Sequence, residues 1–159
     1  MDVLKIFILF SILGHFMENI FNLGKSSGIL YLYWTPIYGF SIVILYFLFK
    51  YIDKFKLNKF IKFIVIFLSS AFILSLIEHT GGVLLDVLYD KTLWDYTDMM
   101  FNLGKYVCLE MSLVWGISGL LIYYLRPIIN KILDYIPKWL TIILFITFII
   151  DVLVTIITK

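Results

Sequence analysis

The amino-acid sequence predicts an all-α integral membrane protein, a bundle of about five transmembrane helices forming one domain over residues 1–159. Three observations predict it. Hydrophobic residues make up 62% of the 159 positions against 15% charged; the mean hydropathy is +1.01; and five long apolar runs are separated by short polar segments bearing lysines. Soluble domains sit nearer roughly half apolar and a quarter charged. A chain this small could not hide the excess from water, and the bilayer is the solvent that suits it.

Crossing the hydrocarbon core takes roughly 20 mostly apolar residues as a helix. The first candidate runs from Val3 to about Asn22. It lacks a small-residue cleavage site and carries His15 and Glu18, so it is expected to be a retained span and not a signal peptide. The second runs from about Gly28 to Phe49 with Pro36 inside it, and the third from about Phe63 to Val87. The fourth runs from about Tyr106 to Leu125, stopped by Arg126 and Pro127, and the fifth spans 139–158. Helices are forced on these runs because lipid offers no partner for a bare backbone amide.

Orientation follows from the basic residues. Lys5, Lys50, Lys54, Lys56, Lys59, Lys62, Arg126, Lys131 and Lys138 fall on one side, and only Lys25, Lys91, Lys105 and Lys159 on the other. The positive-inside rule puts the N-terminus in the cytoplasm, and five insertions put the C-terminus outside the cell membrane. The segment from Lys50 to Lys62 alternates Lys with Phe, Ile and Leu. It reads either as an amphipathic helix against anionic headgroups or as a solvated turn that sets topology. Residues 128–138 suggest a second interfacial helix on the same side. The net charge of +2 gives no sign of nucleic acid as a partner, and the single cysteine, Cys108, excludes an internal disulfide.

An internal repeat is visible. Phe21-Asn22-Leu23-Gly24-Lys25 recurs as Phe101-Asn102-Leu103-Gly104-Lys105, and Ser11 and His15 recur as Ser75 and His79. Two parallel helix-pair repeats, 1–49 and 63–125, followed by a C-terminal helix would produce this pattern.

Ionisable residues within spans cost about 2.5–3.5 kcal/mol each on insertion scales and usually face the bundle interior. Ser11, His15, Glu18 and Asn22 share one face of the first helix, and Ser75, His79, Gly82 and Asp86 one face of the third, with Glu78 beside them. Both stripes lead to the outer end. The loop carrying Trp94, Asp95, Tyr96, Asp98, Asn102 and Lys105 lies there, with Glu110 one turn beyond. The candidate binding cluster is therefore Glu18, Asn22, Lys25, Glu78, His79, Trp94, Asp95, Tyr96, Asn102 and Lys105. Such crowding should raise some carboxylate pKa values. The same residues also fit a packing seam with an acidic, aromatic interfacial rim. Asp151, deep in the fifth helix, needs a partner or a proton.

Several motifs fail. Gly24-Lys25-Ser26 ends like a phosphate-binding loop, but Asn19 stands where the first glycine belongs and no strand precedes it. No HExxH or CxxC spacing supports a metal, and no cofactor is expected. Cys108 reads as a small apolar residue, and Trp115, Gly116 and Gly119 as close-packing positions.

Taken together, Glu78-His79-Thr80-Gly81, Trp94-Asp95-Tyr96, Phe101 to Lys105 and Trp115-Gly116 resemble the bacterial ABC-transporter permease family labelled CmpB-like, or type IV. Gly14, Glu18, Asn22, Gly24 and Pro36-Ile37-Tyr38-Gly39 fit the same pattern, so the resemblance covers roughly residues 8–127. Lys25 and Lys105 stand where the family has Arg, which weakens a bidentate anion contact, and His79 stands where an aromatic residue is common. The resemblance implies a transport-related permease subunit. Because the chain has no nucleotide-binding motif, it also implies a separate ATPase subunit, and a homo-oligomer or partner to complete a pathway. Two alternatives remain at this level. One is a membrane enzyme acting on a lipid or lipid-linked substrate at the outer leaflet, with no catalytic residue identifiable. The other is a non-catalytic lipid- or peptide-binding regulator.

Overall fold

The apolar runs fold as helices, which satisfy their own backbone groups where lipid cannot. The structure is a computed structural model describing residues 2–21 and 28–159. Among the described residues the helices are α1 (Asp2–Phe21), α2 (Pro36–Ile52), α3 (Lys59–Tyr89), α4 (Leu109–Tyr135) and α5 (Lys138–Thr158). The only β pairing among them is an isolated bridge between Asn102 and Cys108. Four helices, α1, α3, α4 and α5, are long and apolar enough to cross a membrane, and α2 is apolar but shorter. The chain is a multi-pass membrane protein.

The two largest boundary differences from expectation both lie at prolines. The second helix starts at Pro36 and not near Gly28. Proline lacks an N–H and has φ preset for the first helical turn, so it starts a helix more readily than it sits inside one. The 17 residues of α2 rise about 25 Å, short of the roughly 30 Å core. The fourth helix, by contrast, runs through Pro127 to Tyr135 and absorbs most of the expected interfacial segment. Pro127 cannot donate to the Tyr123 carbonyl four residues back. Arg126 Nε donates to it instead, at 3.0 Å, so the helix continues without an orphaned acceptor.

The chain forms two compact units, one from Met1–Val43 with Ile128–Lys159 and the other from Ile44–Pro127. In the first, Phe7, Ile8, Trp34 and Phe148 are buried together. Phe7 and Phe148 meet edge to face at 5.1 Å between centroids, and Trp34 meets Phe148 likewise at 5.7 Å. Gly39 permits close approach of α2 to α1, since a Cβ there would lie 2.2 Å from Ser11 Oγ and 2.6 Å from the Phe7 carbonyl oxygen. Residues 28–35 are not helical, so their backbone groups need partners from elsewhere. Asp151, buried in α5, supplies two: its carboxylate accepts from the Tyr31 and Leu32 amides at 3.1 and 2.9 Å. The Thr35 amide donates to the Ser11 carbonyl, and Lys159 Nζ donates to the Ile29 carbonyl. Lys5 Nζ donates to the Leu133 carbonyl at 2.8 Å, near the C-terminal end of α4, where the Ile136 amide donates to the same carbonyl at 3.2 Å.

In the second unit, Ile66, Ser70, Leu74, Glu78 and Gly82 recur every four residues along the buried face of α3. Gly119 of α4 packs so closely on this face that a Cβ would lie 2.2 Å from both Cβ and Oγ of Ser70. Asn58 caps α3 by accepting from the Ile61 amide, and Asp90 ends it in the left-handed conformation at φ 50°. The segment from Lys50 to Lys62 is not one amphipathic helix: it comprises the end of α2, a turn over 53–58 and the start of α3. Asp53 clasps it to α4, accepting from Tyr123 OH (2.7 Å), Arg126 Nη1 (2.8 Å) and Lys62 Nζ (3.1 Å). The Arg126 guanidinium also lies over the Tyr123 ring at 3.9 Å. Burial pushes the Asp53 carboxyl upward, but hydrogen bonds from Tyr123, Arg126 and Lys62 outweigh it and hold its pKa at about 2.

Candidate functional site

Of the ten residues in the sequence-derived cluster, Glu78, His79, Trp94, Asp95, Tyr96, Asn102 and Lys105 belong to the second unit. Glu18 belongs to the first unit and is half-buried; Asn22 and Lys25 lie outside the described residues.

Glu78 is the centre of what the second unit brings together. It is 6% exposed, on the inward stripe of α3. Its Oε1 accepts from the Tyr96 hydroxyl at 2.8 Å, and its Oε2 from the Trp115 indole N–H at 2.7 Å. Both oxygens are thus held by neutral donors from different segments, one in the α3–α4 loop and one on α4. A carboxyl group among helices requires such donors, because an unsatisfied oxygen there would bear the full desolvation cost. One turn below, Ser75 Oγ donates to Ser112 Oγ at 2.7 Å, and Ser112 Oγ donates to the Cys108 carbonyl at 2.9 Å.

The stripe is rotated from the sequence reading. Expectation placed His79 inward with Ser75 and Gly82, and Glu78 beside them. The four-residue repeat instead points Glu78 into the unit and leaves His79, one position or about 100° on, exposed. His79 still approaches the site through Tyr106. That ring is buried and lies edge-on to His79 at 6.3 Å and to Trp94 at 6.2 Å. Gly82 makes room for it, since a Cβ there would lie 2.5 Å from the ring.

Beside this lies a charged patch. Lys105 Nζ donates to Thr92 Oγ1 at 2.7 Å and pairs with Asp86 at 3.5 Å, with its ammonium 5.2 Å from the Tyr106 ring centroid. The Tyr106 hydroxyl, followed by the Asp86 carboxylate, holds the Lys105 pKa above its ordinary value.

Asp95 and Asn102 have a local role. Asp95 Oδ1 accepts from the Thr97 amide at 2.9 Å and its hydroxyl at 2.7 Å, and Asn102 Nδ2 donates to the Thr97 carbonyl at 2.8 Å. The Tyr96 amide donates to the Lys105 carbonyl at 2.8 Å, which draws the two arms of the loop together. Gly104, at φ 71°, permits the reversal between them. These contacts position Tyr96 for Glu78. They also lower the Asp95 pKa, first through the Thr97 amide and then its hydroxyl, opposite to the rise that crowded carboxylates suggest.

Three participants escaped sequence reasoning. Trp115 read as a packing residue, Tyr106 as the start of a helix, and Thr92 not at all. The available signal was Trp115 and Glu78 on facing helices, each with a hydrogen-bonding group that must be satisfied in lipid. Cys108 is fully buried, and burial raises its thiol pKa, consistent with an inert apolar residue. No group of three or more metal-ligating side chains occurs among the described residues.

The family model described as "Putative ABC-transporter type IV" matches residues 5–156. No curated protein and no solved structure matches the chain.

Proposed function

As the chain belongs to the ABC-transporter type IV family, we propose that it is the membrane subunit of a transport system, with a polar site in the outer half of its second unit centred on Glu78. The carrying observation is Glu78 itself. A carboxyl group at membrane depth is costly, and here both oxygens are oriented by donors from the loop and from α4. Lys105, His79 and Trp94 around Tyr106 form the rim, and Glu18, Asn22 and Lys25 are the corresponding candidates in the first unit. The outer placement rests on the excess of Lys and Arg in the opposite loops. A nucleotide-driven system then needs a separate ATPase, and a chain this small needs a second copy or a partner for a pathway.

Duplication belongs to this reading. Gly39 and Gly119 stand 80 positions apart, the offset of the two Phe-Asn-Leu-Gly-Lys runs, and each receives a serine of the preceding helix; the partner of Gly119 is Ser70, however, and not Ser75, the match to Ser11 in the sequence repeat. An enzymatic reading has less support, because Asp95 Oδ1 and Asn102 Nδ2 are engaged in shaping the loop at Thr97.

The test is purification from native membranes after in-cell cross-linking. Stoichiometric capture of an ATPase, with its activity altered by Glu78→Gln, is expected. A chain that purifies alone after cross-linking overturns the proposal.

A further inference from the structure

The turn between α2 and α3 contains Lys54 and Lys56, flanked by Lys50 and Lys59, and all four are exposed. Asp53 is the one acidic residue in the segment from Lys50 to Lys62, and Arg126 and Lys62 occupy it. Among the described residues, none of the four exposed lysines has an ion-pair partner. Aromatic side chains adjoin them: Phe55, between Lys54 and Lys56, is 47% exposed, and Phe60, next to Lys59, is 72% exposed. Beyond Phe60, the outward face of α3 continues as exposed apolar surface through Ile64, Leu68 and Phe72.

We propose that this turn binds the phosphate headgroups of anionic phospholipids whose acyl chains cover the outward face of α3. The placement follows from continuity. A lipid lying along that face ends where the helix begins, and Lys56 and Lys59 are the cations at that level. Phe55 and Phe60 suit the boundary between headgroup and chain, whereas an acidic protein surface would leave both rings exposed to water. The Asp53 clasp contributes by engaging the one carboxylate of this segment that would compete for the ammonium groups. Each lysine near an anionic surface adds roughly fivefold in affinity.

The experiment uses the full chain in nanodiscs of phosphatidylcholine with a minor fraction of phosphatidylglycerol, with retained lipids counted by native mass spectrometry. Wild type should retain phosphatidylglycerol preferentially. Changing Lys54, Lys56 and Lys59 together to Gln should reduce that preference on the order of a hundredfold, and changing them to Arg should preserve it. Equal retention of both lipids by wild type, or an unchanged preference in the Gln variant, overturns the proposal. An acidic protein as the true occupant would produce the first of these outcomes. Should the Gln variant fail to insert, a salt titration of wild type decides, since a preference insensitive to ionic strength is equally fatal.

Discussion

Replacing Asp151 tests how a non-helical segment survives in this protein. Asp151 is 4% exposed and accepts from two backbone amides, Tyr31 at 3.1 Å and Leu32 at 2.9 Å. Hydrogen bonds to a charged group contribute about 1.5–3 kcal/mol each. Asp151→Ala removes both acceptors and should therefore cost about 3–6 kcal/mol. Asp151→Asn keeps one carbonyl oxygen and turns an NH2 toward the other amide, so roughly half that loss is expected. Reversible unfolding in mixed micelles, followed by tryptophan fluorescence, measures both; Trp34 packs on Phe148 in the same unit and reports on it. Hydrogen exchange at Tyr31 and Leu32 supplies the local readout, and protection should fall at these two amides first. An alanine variant within about 0.5 kcal/mol of wild type, with protection intact, would refute the claim that Asp151 satisfies this backbone.

Three further outcomes follow from the second unit. Asp53 has its pKa lowered from 3.8 to about 2, so its contribution is present above pH 3.8 and is lost as pH falls through 2. Asp53→Asn should thus be less stable than wild type at neutral pH, by roughly 1 kcal/mol given its exposure, and indistinguishable below pH 2, as read from unfolding across that range. Pro127→Ala restores an N–H to the Tyr123 carbonyl. In a double-mutant cycle, Arg126→Leu should cost about 0.5–1.5 kcal/mol less in that background than in wild type, and strict additivity would contradict the compensation by Arg126 Nε. Gly119→Ala should destabilise by about 1–3 kcal/mol through overpacking, with recovery in the double variant carrying Ser70→Gly, measured by thermal unfolding in detergent.

The sequence alone determined that the chain is helical and spans a membrane, because both depend on sums over many residues: apolar content, run length and the cost of bare amides in lipid. It also marked Glu78 and Tyr96 as candidates, since ionisable and aromatic residues in such a background stand out singly. What it could not decide was rotation and partnership. One residue of helix phase separates buried Glu78 from exposed His79, and several periodic readings of α3 fit the same letters. The two prolines illustrate the same limit. Pro36 begins a helix and Pro127 is carried through one, the reverse of the expectation that set Pro36 inside a span and made Pro127 a stop. The difference lies in neighbours: Arg126 Nε happens to reach the carbonyl that Pro127 leaves free, and Asp151 reaches back some 120 positions to the amides of Tyr31 and Leu32. Hydrogen bonds require particular atoms within about 3 Å, and only the tertiary structure brings residues so distant in sequence to that separation.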